Sequence, residues 1–151
     1  MPVSTSKFNT FTFFKLPSAW WCGVRLQSID KKRAVVTVKY KWFNQNPFRS
    51  MFWAVQGMAA ELTTGAMMID QIEDSGKKIS MLVANNNANF SKKATGKITF
   101  VCEDGDKIKE ALDKAIATGE GQTLWMQSIG TNEGGVVVST FNFEWTVRLK
   151  K

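Results

Sequence analysis

A chain of 151 residues with 44% hydrophobic and 12% aromatic content is long enough to bury one sizeable core, short for two domains, and too apolar for disorder. Its formal charge of +7 is spread over small groups, Lys31-Lys32-Arg33, Lys77-Lys78, Lys92-Lys93 and Lys150-Lys151. That pattern suits a solvated basic surface, or a field gathering an anionic small molecule, and argues against nucleic acid. Histidine is absent, which excludes a Ser-His-Asp triad, a Cys-His pair and histidine metal ligation. Two distant cysteines, Cys22 and Cys102, read as apolar fillers in a reducing, cytoplasmic setting, and no metal site is expected. Acid-base work would fall to carboxylates, lysines or Tyr40.

Residues 1–21 are expected to form an N-terminal helical segment, with a short helix or two between 5 and 21 around Pro17. Lys15 and Pro17 interrupt its aromatics, so it does not read as a signal peptide. Next, Val24, Leu26 and Ser28 alternate with Arg25, Gln27 and Ile29, the chain turns at Asp30-Lys31-Lys32, and Val36, Val38 and Tyr40 alternate again. This is a β-hairpin. A long helix over 46–69 follows, with Asn46 as N-cap and Pro47 at its first position, although Arg49-Ser50 offers a later start.

Strands are expected over 79–90 and 96–102, as a pair. Ile108, Leu112 and Ala115-Ile116 then mark a surface amphipathic helix over 104–118, closed by Gly119. A final pair of strands, 122–131 and 136–149, flanks the tight turn "NEGG". Together these make one α+β domain, 1–151, built on an antiparallel sheet.

The long helix is unusual. Met51, Val55, Met58, Leu62, Ala66 and Ile69 form one apolar stripe, and the opposite side offers Trp53, Gln56, Ala60, Thr63, Thr64 and Met67 with no basic residue. A helix without a charged face is covered all round, by a sheet or a partner chain. Its polar residues argue against membrane insertion. Between Arg49 and Asp70 the sole charge is Glu61, on a shoulder beside Ala54, Gly57 and Gly65, whose small size leaves space. Such a carboxylate is either paired with an arriving cation or used.

The order of elements resembles the hotdog fold of acyl-CoA thioesterases, a curved antiparallel sheet wrapped around a long central helix. In the phenylacetate-pathway type, an Asn precedes a His-Gly-Gly at the start of the central helix and an acidic residue follows. Here Asn46 stands at the Asn position, Phe52-Trp53-Ala54 at the His-Gly-Gly, and Glu61 at the acid. "ANFSKKATGKITF" is similar to that superfamily's strand-turn, with Phe90, Lys92, Ala94 and Gly96 in place, and "GGVVVSTFNFEWTVR" to its closing strand.

The resemblance implies thioester hydrolysis with coenzyme A thioester as substrate and no cofactor. It also implies a homodimer or dimer of dimers with sites at the interface. Glu61 would be general base or nucleophile, and first-turn N–H groups near Trp53 would hold the carbonyl oxygen. Asn46 either orients water or substrate or caps the helix, and Thr64 either touches the water or bonds the preceding turn. Phe52, Trp53 and Gly57 would line the substrate. Asn87 and Asn89, with Asn85 on the same strand face, would form a cleft wall or an exposed sheet edge. Lys93, beside Lys92, would meet coenzyme A phosphates or sit in a solvated turn. The alternatives to hydrolysis are a catalytically silent binder of an acyl or lipid-like ligand, and a purely structural dimer.

Overall fold

The computed structural model describes residues 4–151, so residues 1–3 of the expected N-terminal segment lie outside the described residues. The segment forms two helices, α1 (Thr5–Lys15) and α2 (Pro17–Trp21). The Ser4 side chain accepts from Lys7 N at the start of α1, and Pro17 occupies the first turn of α2, where its missing N–H costs nothing. The hairpin follows as β1 (Arg25–Ile29) and β2 (Ala34–Lys39). A bulge between Leu26 and Ser28 breaks the expected alternation, leaving Ser28 exposed and turning Ile29 towards the core.

The central helix, α3, runs Trp53–Ser75, starting and ending later than 46–69. Its start is displaced because Asn46-Pro47 makes a turn. Asn46 N donates to Ser50 O, Arg49 takes the left-handed conformation at φ 59°, and Gln45 pairs with Met51 as a β-bridge. Asn-Pro opens either structure, and here the return of the chain to the sheet decides. Its end is displaced because Asp70 and Gln71, polar residues just beyond 69, are buried and in use. Lys31 Nζ donates to Asp70 Oδ2 at 2.7 Å, and Gln71 Nε2 donates to Lys31 O and Gly105 O. Gly76, left-handed at φ 67°, stops the helix.

β3 (Ile79–Phe90), β4 (Lys97–Cys102), α4 (Gly105–Thr118), β5 (Gln122–Thr131) and β6 (Val137–Leu149) complete the chain. The sheet has six strands in the order β1-β2-β4-β5-β6-β3, and every neighbouring pair is antiparallel. The expected pairing of 79–90 with 96–102 is not found. The connection after β3 leads β4 across to β2 and β5, and β3 pairs with β6 at the sheet edge. Connections of this length need not close a hairpin.

The inner face of the sheet supplies Val36, Val38, Ile98, Phe100, Met126, Phe141, Phe143 and Trp145 to a core shared with α3. The absence of a charged helix face is borne out: thirteen residues of α3 are buried, drawn from both sides of the helix. No helix among the described residues is long and apolar enough to cross a membrane. Cys22 and Cys102 are free thiols, and burial pushes Cys102 up to about 12.

One buried polar contact fixes the helix against the sheet. Thr63 Oγ1 lies 2.9 Å from Ser128 Oγ with both residues fully buried, while also reaching Ala60 O. Thr63→Val is expected to lower stability by about 1–3 kcal/mol, because Ser128 is left without its partner in a dry site. A denaturant midpoint equal to that of the unsubstituted protein would refute this.

Candidate functional site

Glu61 stands a little over two turns into α3, half-buried, in a cavity of about 250 Å³. Met58 and Leu62 of the same helix and the corner Lys15–Ala19 between α1 and α2 close around it. Among the described residues no cation forms an ion pair with the carboxylate and no donor hydrogen-bonds it. Lys15 lines the cavity without pairing. Burial alone pushes the Glu61 carboxyl up from 4.5 to about 7, since desolvation disfavours its charged form and nothing repays the loss. Gly65, one turn on, makes room: a β-carbon there would stand 3.2 Å from Glu61 Oε1 and 3.6 Å from the Trp145 ring.

A second cavity, about 520 Å³, opens at the start of α3. Asn46, Phe52, Trp53 and Lys93 all line it, with Phe90 and Lys92 opposite. Asn46 is committed to its own loop. Its Oδ1 accepts from Phe48 N at 2.8 Å, and its Nδ2 donates to Ser50 Oγ at 3.0 Å and Met51 O at 3.3 Å. Among the described residues no side chain caps the helix. Phe52 N is taken by Asn44 O, and Val55 N and Gln56 N by Phe52 O. Among the described residues the N–H groups of Trp53 and Ala54 are left unbonded, at the positive end of a 23-residue helix.

The remaining expected residues divide. Gly57 lies against the Phe141 ring, 3.5 Å from its would-be β-carbon, inside the fold. Thr64 is buried, donates to Glu61 O at 2.8 Å, and accepts from Trp145 Nε1 at 2.8 Å, so it holds the helix turn and the β6 tryptophan together. Asn87 and Asn89 sit on the outer strand, exposed and away from both cavities. Asn142 Nδ2 donates to Asn87 Oδ1 across the β3–β6 pair.

Two groups were not foreseen. Gln56 is buried at the second cavity with Oε1 unbonded and Nε2 reaching Met51 O only at 3.4 Å. Trp145 touches both Thr64 and the space beside Glu61. The signal for Gln56 was its place on an uncharged helix face. For Trp145 it was the inward phase of the Phe141, Phe143, Trp145 alternation.

Glu61 lies eight residues beyond Trp53, about 12 Å along the helix axis at 1.5 Å per residue. The acid and the free N–H groups belong to separate cavities of one protomer.

A curved antiparallel sheet around a buried central helix defines a hotdog protein. The chain belongs to the family of domains of unknown function designated DUF4442, whose model matches residues 4–147. Solved structures share the fold across nearly the whole chain. A probable thioesterase of unknown function from Pseudomonas aeruginosa is 22% identical with a TM-score of 0.87, covering 99% of both chains. A protein of unknown function from Chlorobaculum tepidum is 17% identical with a TM-score of 0.83, covering 97% of this chain and 94% of that one. A thioesterase from Haemophilus influenzae is 14% identical with a TM-score of 0.76, covering 99% and 93%. At these identities the likeness establishes the fold. No functionally curated protein matches the chain in sequence.

Proposed function

We propose that the protein hydrolyses an acyl-CoA thioester at sites formed between two copies of the chain, with Glu61 as general base. The observation that carries this reading is the unpaired Glu61 carboxylate, which burial holds near neutrality beside a cavity. A structural charge at such a place would be ion-paired. A base that must take a proton from water at neutral pH works best with a pKa near 7.

In the proposed step Glu61 takes a proton from water, the hydroxide adds to the thioester carbon, and the carbonyl oxygen gains a negative charge. The N–H groups of Trp53 and Ala54 of the second copy receive that charge, because within one chain the helix start and Glu61 line different cavities. Collapse expels the coenzyme A thiolate, a good leaving group that needs little protonation, and the proton on Glu61 completes the thiol. Asn46 keeps the loop that presents the helix start in shape, and Thr64 fixes the turn that carries Glu61. Lys92 and Lys93 offer the phosphates their charge.

Pairing of two copies is supported by β3. It is an edge strand, and residues 84–90 are exposed on both faces. Analytical ultracentrifugation is expected to give at least a dimer at assay concentrations; a monomer that turns over substrate would overturn the shared site.

The second reading is a silent binder of an acyl or lipid-like ligand. One observation favours it: the rings of Phe52 and Trp53, 6.0 Å apart, crowd the helix start where the thioester carbonyl would sit. Thiol release from a panel of acyl-CoA substrates, measured beside Glu61→Gln, separates the two. Ligand binding with no turnover in either protein decides for the binder.

A further inference from the structure

The chain's charge is one-sided. Residues 1–60 contain nine basic side chains and a single acid, Asp30, whereas residues 61–151 contain eleven basic and twelve acidic ones. No Asp or Glu occurs at all over residues 4–29 or 34–60.

Within that basic part, aromatic side chains are concentrated on α1, on α2 and on the turn that follows β2. The Phe13 ring packs edge-on to Phe14 at 5.0 Å and to Trp20 at 5.4 Å, and the Arg25 guanidinium lies 3.3 Å over Trp20. A short turn at Trp42–Asn44 is tied to the end of α2, because Asn44 Nδ2 donates to Cys22 O and Lys39 O, both at 2.9 Å. The Lys41 side chain lies over Gly23, its Nζ 3.2 Å from where a β-carbon would stand. The end of α2 and this turn are therefore neighbours. Their large side chains are left outside the core: Trp42 is 81% exposed, Phe14 70%, Trp21 60% and Phe43 55%. Lys15, Lys39 and Lys41 are exposed among them.

A monomeric surface does not ordinarily leave so many large aromatics together in water. We infer that this face, Phe14, Trp21, Trp42 and Phe43 with Lys15, Lys39 and Lys41, docks the protein on an anionic lipid bilayer surface. Tryptophan and phenylalanine settle at the boundary between headgroups and acyl chains, and lysines beside them are drawn to anionic headgroups. A second copy fits the face less well, since two-fold symmetry would set the same lysines against each other with no acid to separate them. Single-stranded nucleic acid also fits less well, because the exposed apolar groups outnumber the cations, and apolar area supplies most interfacial affinity.

The inference does not depend on thioester chemistry.

The test is flotation of the purified full chain with phosphatidylcholine vesicles, with and without phosphatidylglycerol, at low and high salt. Trp42→Ser with Phe14→Ser, and separately Lys15→Glu with Lys41→Glu, are compared by the same assay. All four positions are exposed, and circular dichroism verifies the fold. Binding to the anionic vesicles only, weakened by salt and reduced about tenfold or more by either pair, supports the inference. Three results overturn it: no flotation with anionic vesicles, flotation that neither pair changes, or loss of an oligomer in sedimentation when the aromatic pair is replaced. Binding of a single-stranded oligonucleotide, lost in the lysine pair while vesicles are ignored, also overturns it.

Discussion

Glu61→Gln is expected to lower thioester turnover by about 10²–10⁴-fold while leaving the fold intact, because removal of a general base costs that much and glutamine fills the same space. The pH dependence is the sharper test. With the carboxyl held near 7 by burial, the active ionised form grows tenfold per pH unit below 7 and saturates above it, so kcat/KM should rise and then level. The same displacement has a consequence for stability, with a definite sign. The folded chain holds the proton more tightly than the unfolded chain, whose carboxyl titrates near 4.5. Stability is therefore unaffected by Glu61 below pH 4.5, falls as pH rises from 4.5 to 7, and stays reduced above.

Glu61→Gln removes that penalty. The variant should match the unsubstituted protein at pH 4 and exceed it at pH 8 by up to about 3 kcal/mol, given 1.36 kcal/mol per pKa unit. A structural ion pair would give the opposite sign. Denaturant unfolding at the two pH values distinguishes them, and a variant less stable at pH 8 would remove Glu61 from the proposed role.

Those elements were legible in the sequence whose pattern is local. The hairpin of β1 and β2, the amphipathic α4, and the strands on either side of Asn132–Gly135 follow from alternation, 3.6-residue spacing and turn residues. The hotdog architecture was legible as a resemblance, carried by element order and by the stretches around Asn46–Glu61 and Phe90–Gly96. What was not legible depends on distant partners. Asn46-Pro47 reads equally as a helix cap or a turn, and only the Gln45–Met51 bridge to the neighbouring chain segment selects the turn. Asp70 and Gln71 look like surface residues until Lys31 and Gly105 are brought to them.

The site divides along the same line. That Glu61 is the sole charge between Arg49 and Asp70 could be read from the sequence, but that no cation reaches it from another element could not, because that depends on distant residues. Which N–H groups stand free could not, because they follow from the start of α3 at Trp53, seven residues beyond the expected start. The Trp145 bond to Thr64 could not, because it joins residues 81 apart in the chain.

Gly105→Ala is expected to be among the most destabilising single-methyl additions in the protein, by about 3 kcal/mol or more. Gly105 opens α4 where that helix meets the turn between β1 and β2. A β-carbon there would stand 2.0 Å from Lys31 O and 2.5 Å from Lys32 Cα, both backbone atoms. Gly105 N donates to Lys32 O at 3.0 Å, and Gln71 Nε2 ties Gly105 O to Lys31 O from below. The methyl cannot be accommodated by turning a side chain; α4 must lift, and the buried Gln71 then loses partners it cannot replace with water. At about 2–4 °C per kcal/mol for a chain of this size, the melting temperature should fall by about 6–12 °C. Gly76→Ala provides the comparison. Among the described residues beyond its own chain neighbours nothing lies within 4 Å of its would-be β-carbon, so the left-handed φ of 67° is what opposes the substitution, at about 1–2 kcal/mol. If Gly76→Ala proved as costly as Gly105→Ala, backbone conformation rather than the packing of α4 on the β1–β2 turn would govern both.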